Sequence, residues 1–173
     1  MKTLNVIIVC AAAFMPITIP ALAQDNTAAT AATVDAATFV NMATSSNMLE
    51  IQSSEMALQR ASSEDVKSFA NQMIQDHTKA SQEMAAVLQK KGMAAPAELE
   101  PNHKQMLQEL ADNTANFDAA YVQLQRAAHE EAVGLFTSYS NNPDDQELGA
   151  FAQKTLPTLQ MHLDHVTKLN NGN

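Results

Sequence analysis

The chain has 173 residues, with 19 acidic against 10 basic side chains and a formal net charge of -9. This acidity argues against nucleic acid and anionic membrane surfaces as partners, because both repel a negatively charged protein. The single cysteine, Cys10, excludes a scaffold held by disulfides, so the stability of the fold must come from a hydrophobic core.

The N-terminus has the three parts of a secretory signal peptide. Residues 1–2 form a short positive region, residues 4–14 are an apolar run too short to span a bilayer, and residues 21–23 read Ala-Leu-Ala, a cleavage site. We therefore predict a signal peptide over residues 1–23 and an exported, periplasmic protein that starts at Gln24. No transmembrane segment is expected in that mature chain; a retained N-terminal anchor is the alternative interpretation.

The first helix follows a polar leader. Residues 24–34 lack large apolar side chains and predict a disordered segment. From Asp35 onward the pattern is helical, without the apolar and polar alternation of a strand, and we expect one folded domain over residues 35–171. Helix one is predicted over residues 36–60, with Asp35 as N-cap. Its stripe has helical spacing and contains Phe39, Met42, Ser46, Leu49, Ser53 and Met56.

Helix two has clear signals at both ends. Ser62 followed by Asp65 resembles a capping box, and the sequence Lys90-Lys91-Gly92 is a typical stop signal. The stripe between these signals contains Val66, Phe69, Met73, His77, Ala80, Met84 and Val87. This stripe is apolar apart from one histidine, so the helix is expected to pack against a core.

A long connection follows helix two. Residues 93–116 are more than a tight antiparallel turn needs. Pro96 and Pro101 interrupt this stretch, while Asn102 and Gln105 predict a cap for a short helix within it. The connection is long enough to run back along a bundle, as the single crossover of ferritin-like folds does.

Two further long helices complete the predicted architecture. Helix three is predicted over residues 115–141 and carries His129 on its apolar stripe. Helix four is predicted to start with Asn142 as N-cap and Pro143 at the first helical position, and it carries His162 on its stripe. Four amphipathic helices of similar length predict an all-α four-helix bundle.

Several segments resemble one bacterial exported family, domain of unknown function 4142. These segments are VKSFANQMIQDH at residues 66–77, NFDAAYV at residues 116–122, His129, and LPTLQMHL at residues 156–163. The resemblance extends over nearly all of the chain after the leader, in order and with consistent spacing. It implies a ferritin-like four-helix bundle and little about activity, because a shared fold does not transfer chemistry.

One candidate site emerges from the predicted helices. Counting residues from the turn between helices one and two places Glu50, His77 and His129 at one depth, and the crossover brings His162 within about one turn of them. A bundle core excludes such groups unless they are hydrogen-bonded, paired or bound to metal. We predict a buried layer of these four residues, with Asp76 as a possible outer partner.

Two interpretations of this layer remain open. Imidazoles and carboxylates that project inward from four helices suit iron, manganese, zinc or copper, as in a metal-binding or oxidase-like ferritin relative. Di-iron bundles, however, use Glu-x-x-His motifs, and the only one here, Glu100 to His103, lies in the connection and is interpreted as accidental. The alternative is a hydrogen-bonded network that fixes helix register. We favour this second interpretation, which describes a non-enzymatic protein with a structural or partner-binding role.

Other chemistries find little support in the sequence. There is no glycine-rich phosphate loop, no serine nucleophile elbow and no cysteine nucleophile after the signal peptide, which argues against hydrolase and nucleotide-binding functions. The methionines alternate with leucine and phenylalanine on the helical stripes, so we interpret them as core filling and not as a copper relay. A protein partner or a homo-oligomer is compatible with the sequence, which identifies neither.

Overall fold

The computed structural model describes residues 34–170, so the predicted signal peptide and all of the predicted leader except Val34 lie outside the described residues. The regular elements within the described range are α1 (Ala36–Arg60), α2 (Glu64–Lys91), α3 (Pro101–Asp112), α4 (Phe117–Asn141) and α5 (Gln146–Asn170). All of them are helices, which confirms the predicted all-α class for this range. No helix among the described residues has the length and hydropathy to cross a bilayer.

The helix ends follow local capping chemistry. Asp35 caps α1 as predicted, because its carboxylate accepts the N–H of Thr38 at 2.8 Å. Ser63 caps α2, one residue after the predicted Ser62. Gly92 ends α2 with a φ of 65°, in the left-handed region that favours glycine. The short helix of the connection begins at Pro101, and α4 begins two residues later than predicted.

The predicted start of the last helix is wrong by three residues. Asn142 and Pro143 belong to the turn, and α5 begins at Gln146. The reason is the carboxylate of Asp145, whose Oδ1 accepts the backbone N–H groups of both Glu147 and Leu148 at 3.1 Å. Because these amides lack partners within the helix, the carboxylate that reaches them defines its first turn.

The four long helices form two antiparallel pairs. α1 contacts α2 and α4, and α5 contacts the same two helices. At one end of the bundle, Lys91 at the end of α2 binds Asp145 before α5 at 2.7 Å. At the other end, Asp118 at the start of α4 accepts the backbone N–H of Ser62 at 3.0 Å. Therefore α2 and α4 point in the same direction, and residues 92–116 run back along the bundle.

The short helix α3 holds this connection against α1 and α4. The Arg60 guanidinium donates to the Ala111 carbonyl at 2.8 Å and to the Asn113 carbonyl. The same guanidinium lies 4.3 Å from the centre of the Phe117 ring, a cation–π distance. Leu110 is buried beneath them. The crossover is thus fixed by both polar and apolar contacts.

Two apolar clusters make up the core. One contains Phe69 and Tyr121, and the other contains Phe39 and Tyr139, whose rings stack with centroids 4.1 Å apart. The clusters occupy successive stretches of each long helix. On α2, α4 and α5 the polar residues predicted as a layer fall between the two clusters, and on α1 Glu50 directly follows Leu49 of the first cluster; all four are buried.

Candidate metal centre

All four residues of the predicted layer meet in the core. Glu50 comes from α1, His77 from α2, His129 from α4 and His162 from α5, and none is more than 4% exposed. The centroids of the three imidazole rings lie 5.3 to 5.6 Å from one another. One nitrogen of each ring lies within 4.8 Å of the corresponding nitrogens of the other two. The three imidazole nitrogens therefore surround a common point, and the Glu50 carboxylate lies against the His77 and His129 rings.

Hydrogen bonds on the outer side of the layer fix two of the rings. The Nδ1 of His77 lies 2.9 Å from the amide oxygen of Asn47, whose own nitrogen donates to Ser81. The Nδ1 of His129 lies 2.8 Å from the backbone carbonyl of Gln125. Since both partners can only accept, Nδ1 carries the hydrogen in each ring. In each neutral ring, Nε2 then carries no hydrogen, and its lone pair faces inward.

His162 is fixed by the predicted outer partner. Its Nε2 lies 2.9 Å from the Oδ2 of Asp76, whose side chain is 36% exposed. The carboxylate accepts, so Nε2 is the donor and the remaining lone pair belongs to Nδ1. Metal-binding histidines commonly have this arrangement, in which a carboxylate or carbonyl holds the nitrogen that does not bind the metal.

The inner side of the layer brings four buried ligand atoms together. Glu50 Oε2, His77 Nε2, His129 Nε2 and His162 Nδ1 make no hydrogen bond of regular geometry. Glu50 Oε2 lies 2.5 Å from His77 Nε2 and 3.7 Å from His129 Nε2, and the contact with His77 lowers the pKa of the Glu50 carboxyl as a hydrogen bond does. The other carboxylate oxygen accepts from the Ser46 hydroxyl at 3.2 Å. Atoms this close repel unless a proton or a metal ion lies between them.

The charges of the layer follow from burial and proximity. Burial raises the pKa of the Glu50 carboxyl, but the neighbouring His129 and His77 outweigh this effect and lower it to about 2. Burial lowers the pKa of His129, and it lowers that of His162 to about 4. At neutral pH the layer therefore holds an ionised carboxylate beside at least two neutral imidazoles. These are the protonation states that metal coordination requires.

The donor set and its spacing fit a single transition-metal ion. Imidazole suits zinc, copper, iron and nickel, whereas magnesium and calcium take oxygen ligands almost alone. A tetrahedral ion with nitrogens about 2.0 to 2.1 Å away holds its ligand atoms roughly 3.4 Å apart. The three nitrogens lie within 4.8 Å of one another, so small movements of the rings would reach that spacing. Only one carboxylate enters the layer, which argues against a di-iron centre.

A second buried histidine group lies outside the layer. His103 on α3 is 2% exposed, and its Nδ1 lies 2.6 Å from the hydroxyl of Ser45 on α1. The same hydroxyl accepts the backbone N–H of Glu100 at 2.7 Å, while the Glu100 side chain is exposed. The Glu100–His103 pair is therefore not a ligand pair, in agreement with its interpretation as accidental. Its histidine is nevertheless buried, which the sequence reasoning missed.

The burial of His103 could have been predicted from the sequence. Leu110 follows seven residues later on the same face of α3, and both side chains are buried. The Nε2 of His103 lies 3.3 Å from a carboxylate oxygen of Glu131. A serine, a histidine and a glutamate in this order would suit nucleophilic catalysis, but Ser45 is fully buried and no substrate can reach it. The group instead attaches the crossover to the bundle.

Comparison with protein families places the whole bundle within one family. A model described as domain of unknown function (DUF4142) matches residues 21–169. This match confirms the resemblance predicted from the sequence. No protein with a curated function matches the chain.

Several solved structures share the fold. CopM in the Cu(II)-bound form has a TM-score of 0.67 at 23% identity, over 78% of this chain and 94% of CopM. CopM in the Ag-bound form has a TM-score of 0.63 at 22% identity, over 77% and 93%. A DUF305 fragment from Deinococcus radiodurans has a TM-score of 0.67 at 15% identity, over 77% and 93%. These identities establish similarity of fold alone.

Proposed function

We propose that this chain, which belongs to the family described as domain of unknown function DUF4142, binds one transition-metal ion through Glu50, His77, His129 and His162. The observation that carries the proposal is the convergence of four buried nitrogen and oxygen atoms that make no hydrogen bond of regular geometry. The lone pairs of these atoms repel one another, because the protein interior screens charge poorly. Each atom has also lost the water that hydrates it in the unfolded chain. One metal ion would satisfy all four atoms at once.

The outer hydrogen bonds support the same proposal. Each ring is held by an acceptor: Asn47 for His77, the Gln125 carbonyl for His129, and Asp76 for His162. This arrangement sets the tautomer and orients the lone pair, which lowers the cost of assembling the ligands around an ion. A network serving only to fix helix register would more simply direct ring N–H groups toward the carboxylate.

The ligand types favour a borderline metal. Three imidazoles with a single carboxylate suit copper(II) and zinc better than manganese, which prefers oxygen. CopM, a protein of the same fold, has been solved in Cu(II)-bound and Ag-bound forms, which supports testing copper first. The mature chain lacks a cysteine, so soft thiolate ligands would not compete.

The fold and the location form part of the proposal. We class the bundle as ferritin-like because two antiparallel helix pairs are joined by one connection that runs the length of the bundle. An exported, periplasmic location rests on the signal-peptide pattern of residues 1–23. An exported protein meets metal ions outside the cytoplasm, which agrees with a metal-binding role.

One observation favours a second function, a structural layer without metal. Glu50 Oε2 and His77 Nε2 lie 2.5 Å apart, a distance that a carboxylate and a protonated imidazole could adopt with small reorientation. A single proton would then bridge two of the four acceptor atoms. His129 Nε2 and His162 Nδ1 would still have no donor, so this arrangement satisfies the layer less completely.

The test is metal binding by purified protein without an affinity tag. We expect one Cu²⁺ or Zn²⁺ per chain and a higher melting temperature with the metal, because an ion that binds only the folded state stabilises it. His129→Gln should weaken binding by more than the roughly 10- to 100-fold typical of losing an outer partner. His165→Gln is the matched control, because His165 packs against Phe69 outside the layer.

Two outcomes would contradict this proposal. If the protein binds neither Cu²⁺ nor Zn²⁺ and its melting temperature does not change when they are added, the buried layer is structural. Equal metal affinity in His129→Gln and His165→Gln would place the ion elsewhere in the chain. Circular dichroism of each variant checks that the helices are intact, so that a loss of binding can be assigned to the missing ligand.

A further inference from the structure

A cavity leads from the surface to the candidate metal centre. Its volume is about 380 Å³, and Glu50, His77 and His162 line its inner end. The exposed side chain of Lys79 lines its outer part. His129 is not among the lining residues, so it closes the far side of the layer. An ion held by these ligands would have one side protected by the core and the other open to the cavity.

The open side gives room for a further ligand beside the four protein donors. Four protein ligands close a tetrahedral zinc site, whereas copper(II), with its tetragonal geometry, can take an additional ligand on the side that faces the cavity. A divalent ion with one carboxylate ligand and neutral imidazoles would keep one positive charge, and in the cavity lining Lys79 offsets the carboxylate of Asp76, so the balance favours a monoanion at that position. At the mouth, Lys154 lies 2.9 Å from Glu83, so this pair adds no net charge.

The cavity wall restricts the rest of the ligand. Above the layer, the wall includes the buried apolar side chains of Met84, Phe136, Phe151 and Leu159. Apolar walls of this kind favour a ligand with a compact hydrocarbon body. The volume is close to the lower limit of typical small-molecule pockets, which are roughly 300 to 1,000 Å³. A single aromatic ring or a short aliphatic chain fits within this volume.

We infer that the cavity admits a small organic monoanion, a carboxylate or phenolate, whose oxygen completes the coordination of the metal bound by the layer. The inference rests on the proposed metal-binding function. It assigns to the centre an exogenous ligand and a direction of entry, from the side of α2 and α5 where the cavity opens. The charged head would reach the ion, and the hydrocarbon body would pack against the apolar wall.

The experiment uses the tag-free protein loaded with Cu²⁺. Azide and benzoate are titrated while the visible absorption and the electron paramagnetic resonance of the copper are recorded. We expect saturable spectral changes with both anions and displacement of azide by benzoate. Benzamide, the uncharged analogue, should bind at least about tenfold more weakly than benzoate.

Paired variants test the route of entry. Ala80 lines the cavity one helical turn above His77, whereas Ala86 on the same helix is exposed and lies outside it. Ala80→Phe should keep the copper and weaken benzoate binding by at least about tenfold, while Ala86→Phe should leave both unchanged. The comparison of benzoate with benzamide in the unaltered protein gives an independent test if Ala80→Phe does not fold.

The outcomes separate this inference from the proposed function. Copper bound tightly with no spectral response to either anion would overturn the inference and leave the metal site standing. Benzamide binding as tightly as benzoate, or unchanged benzoate binding in Ala80→Phe, would overturn the assignment of a small monoanion to this cavity. Failure to bind any metal would overturn the proposed function and the inference together.

Discussion

At the scale of single residues, hydrogen bonds to neighbours decide what the buried histidines can do. A neutral imidazole has one donor and one acceptor nitrogen, and its partner determines which is which. His162 donates from Nε2 because Asp76 lies there, while His77 donates from Nδ1 because Asn47 lies there. The same residue type therefore presents a different atom to the centre on each helix.

The lowered histidine pKa values predict that the metal-free protein loses stability in mild acid. The unfolded chain binds protons at these histidines near pH 6.5, whereas folded His162 takes up its proton only near its pKa of about 4. His129 shifts in the same direction. Because the unfolded state binds more protons in this window, the free energy of unfolding should fall between pH 6.5 and 4 by roughly 1 kcal/mol per pH unit through His162, and His129 acts in the same direction.

Urea denaturation at a series of pH values measures this effect. His162→Gln should reduce the slope, since a neutral amide does not titrate, and His165→Gln, outside the layer, should keep it. Constant stability of the metal-free protein from pH 7 to pH 5 would show that the folded histidines accept protons as readily as the unfolded chain does.

At the scale of elements, the crossover is the part of the fold most dependent on side-chain contacts. Each long helix packs against two others, whereas α3 and the segment before it lie on the outside of α1 and α4. The hydroxyl of Ser45 joins this segment to α1, because it accepts the Glu100 N–H at 2.7 Å and lies 2.6 Å from His103 Nδ1. Both contacts are lost together if that hydroxyl is removed.

Ser45→Ala should therefore destabilise the protein by about 1 to 3 kcal/mol, the cost of leaving buried polar groups without partners. Hydrogen exchange should show faster exchange of the α3 amides than of the α4 amides. Ser68→Ala provides the control, because Ser68 is an exposed serine on α2. Equal stability and equal exchange in the two variants would mean that apolar packing alone holds the crossover.

At the scale of the whole molecule, the topology determines which residues can share a site. The crossover makes α2 and α4 run in the same direction and places α5 antiparallel to both. This order brings His162 to the level of His77, with ring centroids 5.5 Å apart. In a simple up-and-down bundle, His162 would lie about two turns away. The meeting of all four layer residues is thus a consequence of the long connection.

The proposed periplasmic location of the protein can be tested directly. If residues 1–23 are a signal peptide, the protein recovered from the periplasm should begin at Gln24 and lack Cys10. Mass spectrometry of the intact protein measures this, and replacing the cleavage-site Ala23 by a bulky residue should leave the precursor uncleaved. A full-length protein that starts at Met1 in the cytoplasm would contradict the proposed location.

The sequence by itself determined much of the local structure. Helical periodicity, the Asp35 cap and the Gly92 stop depend on residues within a few positions of one another, so the local pattern contains them. The composition of the buried layer was predictable as well, because a polar residue on an apolar stripe is conspicuous. Glu50, His77, His129 and His162 were identified in this way.

Only the tertiary structure decided what depends on partners far away in the chain. The last helix begins at Gln146 because Asp145, which also binds Lys91, reaches its first amides. The attachment of His103 to Ser45 joins residues 58 positions apart. The direction of each lone pair in the layer is likewise set by neighbours brought close through folding. These contacts form only when the helices pack, which is why no local pattern in the sequence specifies them.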